Sequence, residues 1–529
     1  MKRILALLAA TTMLSVGTGC KRGADSAAAT TAPEALIFAR GADAQKLDPA
    51  DIDDGESVNS LTPVLEGLVR FRSGSGEIEP ALAEAWTISD DGLVYTFTLR
   101  QGVTFHDGTP LNAETAVWSF LRQADENHPG HFKDAGFQYW SNLSGTVRDI
   151  VAMDDRTIRI RLTTPNAFLL EWFASFPAWL ISPESLKAYG RDLVRHPVGT
   201  GPYSFTEWRP NEAITYERNP AYWGKKAGFA RLVIRSIPDN TVRLLELKAG
   251  RIHGLDGVRA AELASLREDP RFTIYHSPGN NLGYLAYNLN IPRLQSTEVR
   301  QAIAMAIDRA TMVKLSLEGY GVVPEFPLPP GYAGQKNAPA PAVHYDPDAA
   351  RAILQRHPEL LAEPIKIATF SAPRPFFPDP VKIASFIRSD LEKVGLKVEI
   401  ITRDFDSHLN ITRNGDFEIA LLGWIGDSPS SDNFLSPLLA SWGATKGMAT
   451  NISFYKNPEF DQLLLAARTT TDSNQRELLY QQALALWARD LPLIPLAVGE
   501  QIVVLRSEIK GFELQPTGDL YFNGCWWQR

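Results

Sequence analysis

One loop in the last quarter of the chain combines an aromatic ring, glycines and an acid directly after an apolar strand. The strand is predicted over residues 418–422, and the sequence continues through residue 434 as LLGWIGDSPSSDNF. Loops that follow strands and face a cleft are where α/β proteins place ligands. Trp424 and Asp427 are therefore candidate binding residues. A carboxylate in a closed cleft attracts a cation far more strongly than in water, provided that good geometry offsets the lost solvation.

Arg374 is a second charged candidate, because it lies between two prolines in the segment APRPFFP, residues 372–378. The prolines restrict the backbone on both sides of the arginine. A guanidinium group presents a planar fork that binds a carboxylate through two parallel hydrogen bonds. Arg374 thus has the chemistry to hold a carboxylate, with a surface arginine beside a polyproline-like turn as the alternative.

The chain lacks the sequence patterns of the common enzyme classes. No H-E-x-x-H, G-x-S-x-G, Walker A or C-x-x-C motif occurs in it. His128 and His131 are the closest histidines, and their Pro-Gly turn favours a surface loop over a metal site. Adjacent acids such as Asp90 and Asp91 point to opposite faces in an extended chain, so they are poor acid–base partners. The sequence predicts a protein that is not an enzyme and has no metal or cofactor.

Strands and helices that alternate along the chain must position these candidates. Tyr95, Phe97 and Leu99 alternate with polar residues, which predicts a half-buried strand. Apolar residues at helical spacing predict helices, and apolar runs predict extended segments, in many other places. The helices are predicted near residues 58–68, 297–314, 383–394, 460–468 and 475–489, and extended segments at 35–39, 156–162, 281–290, 396–400, 491–496 and 501–505. Such alternation is what an α/β lobe requires.

Length, charge and cysteine content narrow the class of protein further. A chain of 529 residues is expected to form roughly three domains by length alone. The net charge of −8 argues against a nucleic-acid partner, because no basic stripe is available to neutralise phosphates. Only two cysteines occur, Cys20 and Cys525. If Cys20 is modified, the fold cannot depend on an internal disulfide, and a core of this size needs none.

The N-terminus has the pattern of an export signal. Lys2 and Arg3 precede an apolar stretch, residues 4–16, that is too short to span a bilayer. The following Gly-Thr-Gly-Cys20 resembles a lipobox, in which a lipid is attached to the cysteine after cleavage; Gly17 stands where leucine is usual. The alternative is an ordinary signal cleavage site with an unmodified Cys20. Residues 21–33 are rich in small and polar residues, which predicts a flexible tether.

Four further segments carry a resemblance to a known family. Residues 84–113 read EAWTISDDGLVYTFTLRQGVTFHDGTPLNA, and residues 196–203, 218–224 and 298–309 read HPVGTGPY, RNPAYWG and EVRQAIAMAIDR. Together they resemble the family 5 solute-binding proteins that supply peptide ABC transporters. The resemblance extends from about residue 35 to about residue 520.

The resemblance implies an α/β fold of the periplasmic binding protein type, class II. It implies two lobes joined by a hinge of two crossings, with an extra small domain inserted in the first lobe. The expected boundaries are a signal peptide at 1–19, a lipidated cysteine with its tether at 20–33, a first lobe at 34–78, 195–282 and 500–529, an inserted subdomain at 79–194, and a second lobe at 283–499.

The same resemblance implies roles for the candidate residues. In peptide-binding relatives the aspartate of a GWxGD or GWxAD motif pairs with the α-ammonium group of the ligand, and Asp427 is the matching residue. An arginine in an RPYNP setting grips the ligand carboxylate in dipeptide-binding relatives. Arg374 matches that arginine, with Phe376 in place of the tyrosine. Trp424 and Tyr287 are expected to line the ligand cavity.

The implied function is a binding protein, anchored to a membrane by lipid on Cys20, that captures short peptides and delivers them to the permease subunits of an ABC transporter. The expected location is periplasmic or extracytoplasmic, and the expected state is a monomer without nucleic acid or cofactor. Three alternatives stay open. The same fold could bind a nickel chelate, haem, an oligosaccharide or an antimicrobial peptide; it could act as a ligand-sensing adaptor without transport; or it could be a hydrolase built on this scaffold.

Overall fold

The computed structural model of the protein describes residues 34–52, 54–73, 76–133, 135, 140, 145–258, 260–339, 343–515 and 517–528. The predicted signal peptide, Cys20 and the predicted tether therefore lie outside the described residues. Within these ranges, no helix combines the length and the apolar character needed to cross a bilayer.

Strands form the framework of the molecule. In chain order they are β1 (Ala35–Arg40), β2 (Val69–Phe71), β3 (Ile78–Pro80), β4 (Ala83–Ile88), β5 (Val94–Leu99), β6 (Val147–Ala152), β7 (Thr157–Leu162), β8 (Tyr203–Arg209), β9 (Ala213–Arg218), β10 (Arg231–Ser236), β11 (Gly254–Asp256), β12 (Phe272–Pro278), β13 (Asn281–Tyr287), β14 (Gly321–Val322), β15 (Ile365–Phe370), β16 (Val398–Arg403), β17 (Ile419–Ile425), β18 (Leu493–Arg506), β19 (Ile509–Lys510) and β20 (Trp526–Trp527).

Helices cover these strands. In chain order they are α1 (Gly55–Leu61), α2 (Ala113–Ala124), α3 (Leu169–Ala174), α4 (Pro183–Tyr189), α5 (Asn240–Lys248), α6 (Ala260–Arg267), α7 (Thr297–Ala306), α8 (Arg309–Ser316), α9 (Pro347–Leu354), α10 (Pro358–Ala362), α11 (Pro380–Lys393), α12 (Phe405–Asn414), α13 (Asp432–Leu439), α14 (Pro458–Thr469) and α15 (Ser473–Asp490). Short 3₁₀ turns lie at Phe176–Ala178, Gly190–Arg195, Pro292–Leu294 and Ser441–Gly443.

The long strand β18 connects two separate hydrophobic cores. Its first part pairs with β13, and its last part pairs with β11 and β12. On β18, Leu493, Ile494 and Val498 belong to a core built from the second half of the chain, whereas Val503 and Leu505 belong to a core built around β1 and β10. The chain also passes between these cores from β12 to β13. Two connections of this kind are what a two-crossing hinge requires.

A third core belongs to an antiparallel sheet of order β4-β5-β7-β6. On β5, Tyr95, Phe97 and Leu99 are buried and alternate with half-buried residues, which confirms the predicted strand. Helix α2 covers this sheet and begins with a capping box between Asn112 and Thr115. These elements lie between β3 and β8 in the chain, so the small sheet is an insertion into the part that contains β1 and β10.

Two predicted helices are wrong in their extent. The segment 297–314 forms two helices, α7 and α8, because Ile307 is extended and the side chain of Asp308 accepts a hydrogen bond from the backbone N–H of Thr311. The helix predicted near 58–68 ends at Leu61. Pro63 follows at once and has no N–H to donate to a helical carbonyl. The two extended segments predicted at 491–496 and 501–505 are one continuous strand, β18.

The GTGPY and RNPAYWG elements converge on one acid, Glu66. Its carboxylate accepts hydrogen bonds from the Thr200 hydroxyl at 2.8 Å, the Tyr222 hydroxyl at 2.8 Å and the Trp223 indole N–H at 3.0 Å. Burial raises the pKa of Glu66, and these three donors act in the opposite direction. The two sequence elements therefore serve to fix the chain at this acid.

Gly199 provides a test of this packing. A Cβ atom on Gly199 would lie 2.1 Å from the carbonyl oxygen of Val64, which cannot move without disturbing the chain after α1. We expect Gly199→Ala to lower the free energy of unfolding by about 1–3 kcal/mol, measured by urea denaturation. Gly145→Ala is the matched control, because a Cβ there meets no atom of the described residues within 4 Å. Equal stability of the two variants would contradict the expected overpacking.

Candidate ligand-binding site

The candidate acid lies just beyond the point where β17 leaves the core. Residues at the start of β17 are buried, whereas Trp424 is half-buried and Ile425 is exposed. The strand lies between β13 and β15 in the large sheet. The predicted strand is confirmed, but it extends to Ile425 and includes Trp424, which was expected in the loop; the loop itself starts at Gly426.

Asn280, at the crossing between β12 and β13, holds this loop. Its side-chain amide donates to the carbonyls of Gly426 at 2.7 Å and Ser428 at 3.3 Å, and its backbone carbonyl accepts the N–H of Gly426 at 2.9 Å. Its amide oxygen accepts the hydroxyl of Tyr332 at 2.5 Å. A Cβ on Gly426 would lie 2.7 Å from that amide oxygen, so the close approach requires glycine.

The neighbouring Asn281 ties together the two crossings of the hinge. Its side-chain amide donates to the carbonyl of Gly499 at 3.0 Å and accepts the N–H of the same residue at 2.9 Å. Asn280 and Asn281 were not among the site residues predicted from sequence. The pair of asparagines directly before an apolar strand is the signal that was available, but it does not identify their distant partners.

Asp427 is exposed, and its loop borders the inserted sheet. The backbone N–H of Asp427 donates to the side chain of Asn433 at 3.1 Å. The next residue, Ser428, donates its hydroxyl to the carboxylate of Glu171 at 3.2 Å. Glu171 belongs to α3, between the inserted sheet and β8. The Asp427 loop therefore lies at the boundary between the core built from the second half of the chain and the insertion.

The segment around Arg374 lies at the same end of the sheet. Arg374 and Phe377 exchange backbone hydrogen bonds of 3.0 Å, which form a tight turn. The ring of Phe376 packs so closely on Gly423 of β17 that a Cβ there would lie 2.3 Å from ring atoms. This contact explains the small residue beside Trp424 in the motif and brings the two candidate segments together.

The guanidinium of Arg374 stacks on an aromatic ring. It lies 3.9 Å from the ring centroid of Phe405, and the side chain is half-buried. Burial lowers the pKa of Arg374, and the charge of Asp406 acts in the opposite direction. Stacking leaves the N–H edge of a guanidinium available to a carboxylate. Arg374 and Asp427 thus contact different groups in this structure, although their segments share one end of the sheet.

The two aromatic candidates have different positions. Trp424 is half-buried against the core built from the second half of the chain. Its indole N–H is buried without a hydrogen-bond partner in the described part of the chain. Tyr287 is fully buried, and its hydroxyl donates to the carbonyl of Arg300 at 2.8 Å. The expectation that Tyr287 lines a cavity is wrong for this structure, because both faces of β13 are covered.

Asn280 allows a direct test of the loop geometry. Removing its side chain in Asn280→Ala deletes the two hydrogen bonds to the loop carbonyls. We expect ligand affinity to fall about tenfold, since a buried hydrogen bond contributes about 1 kcal/mol and the carbonyls lose their partner. Calorimetry measures this change. Asn414→Ala, which removes a half-buried asparagine whose amide donates to Asn410 on the same helix, is the control, and an equal loss there would contradict the assigned role.

Two cores, two crossings and a candidate acid at the boundary between them define a two-lobed binding protein of the α/β class. The sequence model of the protein family described as bacterial extracellular solute-binding proteins, family 5 (middle), matches residues 77–446 of this chain. The chain therefore belongs to this family. Its members are transport binding proteins, which confirms that the protein is not an enzyme.

Individual relatives cover nearly the full chain. The heme-binding protein A of Haemophilus influenzae is 33% identical, with 99% of this chain and 98% of that protein covered. The dipeptide-binding protein of Escherichia coli is 30% identical, with 94% and 95% covered. The solved structure of the periplasmic binding protein DppA from Helicobacter pylori in complex with the peptide STSA is 32% identical, has a TM-score of 0.78, and is matched over 94% of this chain and 98% of that one.

Proposed function

We propose that this protein binds short peptides between its two lobes and delivers them to the permease subunits of an ABC transporter. The observation that carries the proposal is the position of Asp427, on an exposed loop that Asn280 anchors at the boundary with the insertion. Similarity to the dipeptide-binding protein of E. coli and to DppA of H. pylori with bound peptide supports it.

Charge complementarity supplies the recognition in this proposal. Asp427 pairs with the α-ammonium group of the peptide, and Arg374 holds the terminal carboxylate, while Trp424 covers apolar parts of the ligand. Closure of the lobes around the hinge removes these charge pairs from water, and low dielectric then strengthens their attraction. Enclosure, backbone hydrogen bonds and a few placed polar groups provide affinity without any reacting group.

The proposed location and boundaries follow from the sequence and the family. We propose a monomer held at a membrane in an extracytoplasmic compartment by lipid on Cys20, with residues 21–33 as the tether. The proposed division is a first lobe at 34–78, 195–282 and 500–529, a subdomain at 79–194 and a second lobe at 283–499. Separate hydrophobic cores in the second half of the chain, around β1 and β10, and in the inserted sheet support this division.

Haem is the second candidate ligand. The similarity to the heme-binding protein A of H. influenzae favours it, since that protein is 33% identical over nearly the whole chain. A zwitterionic peptide uses both Asp427 and Arg374, and this pairing of charges favours peptide over haem.

Identification of the ligand that copurifies with the protein distinguishes the two candidates. The protein is isolated without denaturation, and the small molecules released on unfolding are analysed by mass spectrometry. We expect di- and tripeptides in the released fraction. Release of haem, or of a solute without a free amino group, would overturn the peptide assignment.

A further inference from the structure

The inserted subdomain contacts the second lobe directly. The backbone N–H of Ala167 donates to the carbonyl of Arg468, at the end of α14, at 2.7 Å. The Gly92 turn packs beside Thr471, and a Cβ on Gly92 would lie 3.4 Å from that side chain. With the hydrogen bond between Ser428 and Glu171, these contacts form what we call the subdomain contact. The subdomain contact joins the insertion to the second lobe in this structure.

Glu171 is the half-buried acid of the subdomain contact, and hydroxyl groups face it from the second lobe. Ser428 donates to its carboxylate at 3.2 Å, and Ser430 is a further hydrogen-bond partner. Tyr332 and Tyr480 also lie near Glu171. Burial raises the pKa of both tyrosine hydroxyls, and the charge of Glu171 acts in the same direction. The hydroxyl of Tyr480 is buried and has no hydrogen-bond partner among the residues described.

The charged groups around Glu171 are engaged elsewhere. The carboxylate of Asp432, on α13, accepts the guanidinium of Arg468 at 2.9–3.0 Å. Arg476, on α15, donates to the carbonyl of Thr470 at 3.1 Å. No ion pair to Glu171 is found in the described ranges. Its carboxylate is thus held in the contact by hydroxyl groups and by no cation of its own.

We propose that Glu171 is a positioning residue for ligand capture, which fixes Ser428 from the inserted subdomain and thereby sets the Asp427 loop when the subdomain closes on the second lobe. The inference rests on the proposed function, because it concerns the loop that carries the ammonium-binding acid. It adds a coupling between ligand binding and closure of the subdomain.

The electrostatics of the site make this coupling depend on pH. Removal from water raises the pKa of Glu171 to about 7, the charge of Asp432 acts in the same direction, and Ser428, Ser430 and Arg476 act against them. In the open state the carboxyl returns to water, where its ordinary pKa is near 4.5. At a pH between these two pKa values, closure is therefore accompanied by the uptake of a proton by Glu171. Closure becomes less favourable as the pH rises toward 7.

Calorimetry of L-alanyl-L-alanine binding between pH 5.5 and 7.5 tests this coupling. The ammonium group of the peptide stays mostly charged over this range. For the wild type we expect affinity to fall roughly tenfold across the range, with proton uptake detected by comparing buffers of different ionisation enthalpy. In Glu171→Gln, which is neutral at every pH, we expect a flat profile and no uptake from this site.

Two further variants complete the experiment. Glu184→Gln removes an exposed acid of the same subdomain, with 47% side-chain exposure, and should keep the wild-type profile. Ser428→Ala removes a hydrogen bond that favours the ionised carboxylate, so the midpoint of the profile should move to higher pH. This variant retains Glu171, so it gives an answer if Glu171→Gln does not fold.

The outcomes separate this inference from the proposed function. A Glu171→Gln variant that binds the peptide with the wild-type pH profile and proton uptake would overturn the inference and leave peptide binding intact. An unmoved midpoint in Ser428→Ala would overturn it as well. A wild-type protein that binds no short peptide at any pH would overturn the proposed function itself.

Discussion

Asp427→Asn is expected to lose most of the affinity for short peptides. The substitution keeps the shape of the side chain and removes the negative charge that balances the ligand ammonium group. Truncating one partner of a desolvated charge pair costs about 2–5 kcal/mol, which corresponds to a loss of about 30-fold or more in affinity. Isothermal titration calorimetry with a series of di- and tripeptides measures the loss directly.

Asp348→Asn is the matched control for this experiment. Asp348 is also an exposed aspartate of the second lobe, but it lies on α9, away from the loop after β17, and pairs with Arg351 on the same helix. Its substitution should leave peptide affinity unchanged. If Asp427→Asn binds peptides as tightly as Asp348→Asn does, the carboxylate of Asp427 is not the group that recognises the amino terminus.

Asp48→Asn is expected to destabilise the fold more than any other substitution considered for this protein. The carboxylate of Asp48 accepts both terminal nitrogens of Arg122, at 2.9 and 2.6 Å, and the two side chains are 0% and 1% exposed. Asp48 follows β1, and Arg122 lies on α2 of the insertion. Removing one charge takes from the buried guanidinium the carboxylate that binds both of its terminal nitrogens, which costs about 3–5 kcal/mol of unfolding free energy.

The pH dependence of stability provides a second readout of this ion pair. Burial alone would raise the pKa of Asp48, but the charge and hydrogen bonds of Arg122, with the backbone N–H of Ala50 and the charge of Arg191, lower it. A carboxyl whose pKa is lowered by folding stabilises the protein fully at pH values above its pKa in the unfolded state, which is near 4. This stabilisation is lost as the pH falls through the pKa of the folded state. Asp48→Asn should therefore be less stable at neutral pH and show a smaller loss on acidification.

Chemical denaturation at pH 7 and at pH 3 tests both expectations. Asp348→Asn, which removes an exposed ion pair, serves again as the control and should behave as the wild type does. Replacing both Asp48 and Arg122 by apolar residues of similar size should be less harmful than Asp48→Asn, because neither charge of the pair then stays buried without the other. An Asp48→Asn variant as stable as the wild type at pH 7 would show that the pair does not secure the insertion.

Local patterns in the sequence were sufficient to predict many elements. Alternation along β5 predicted a strand with one buried face, and the apolar run of β17 predicted a strand buried on both faces at its start. Local competition explains the errors. Asp308 begins a new helix inside the segment predicted as one, and Pro63 stops α1 early, although the apolar residues Val64 and Leu65 stay buried as their spacing suggested.

Only those residues of the candidate site that lie within a short sequence motif could be predicted. Asp427, Trp424 and Arg374 lie in short motifs, whereas Asn280 acts on a loop almost 150 residues later through hydrogen bonds to carbonyls. Glu171 meets Ser428 across 257 positions of sequence. Tyr287 shows the opposite kind of error. It was expected to line the ligand cavity, but in the structure it is a buried core residue. Such contacts depend on the tertiary fold and leave no periodic trace in the sequence.

The comparison of a free peptide with its N-acetylated form tests most directly whether this protein recognises an amino terminus. L-alanyl-L-alanine and N-acetyl-L-alanyl-L-alanine differ at one group, which carries a positive charge only in the first. Calorimetry on the same preparation should show binding of the free peptide and a loss of at least about 30-fold for the acetylated one, as expected for a desolvated charge left without its partner. Equal affinity for the two ligands would contradict the central claim.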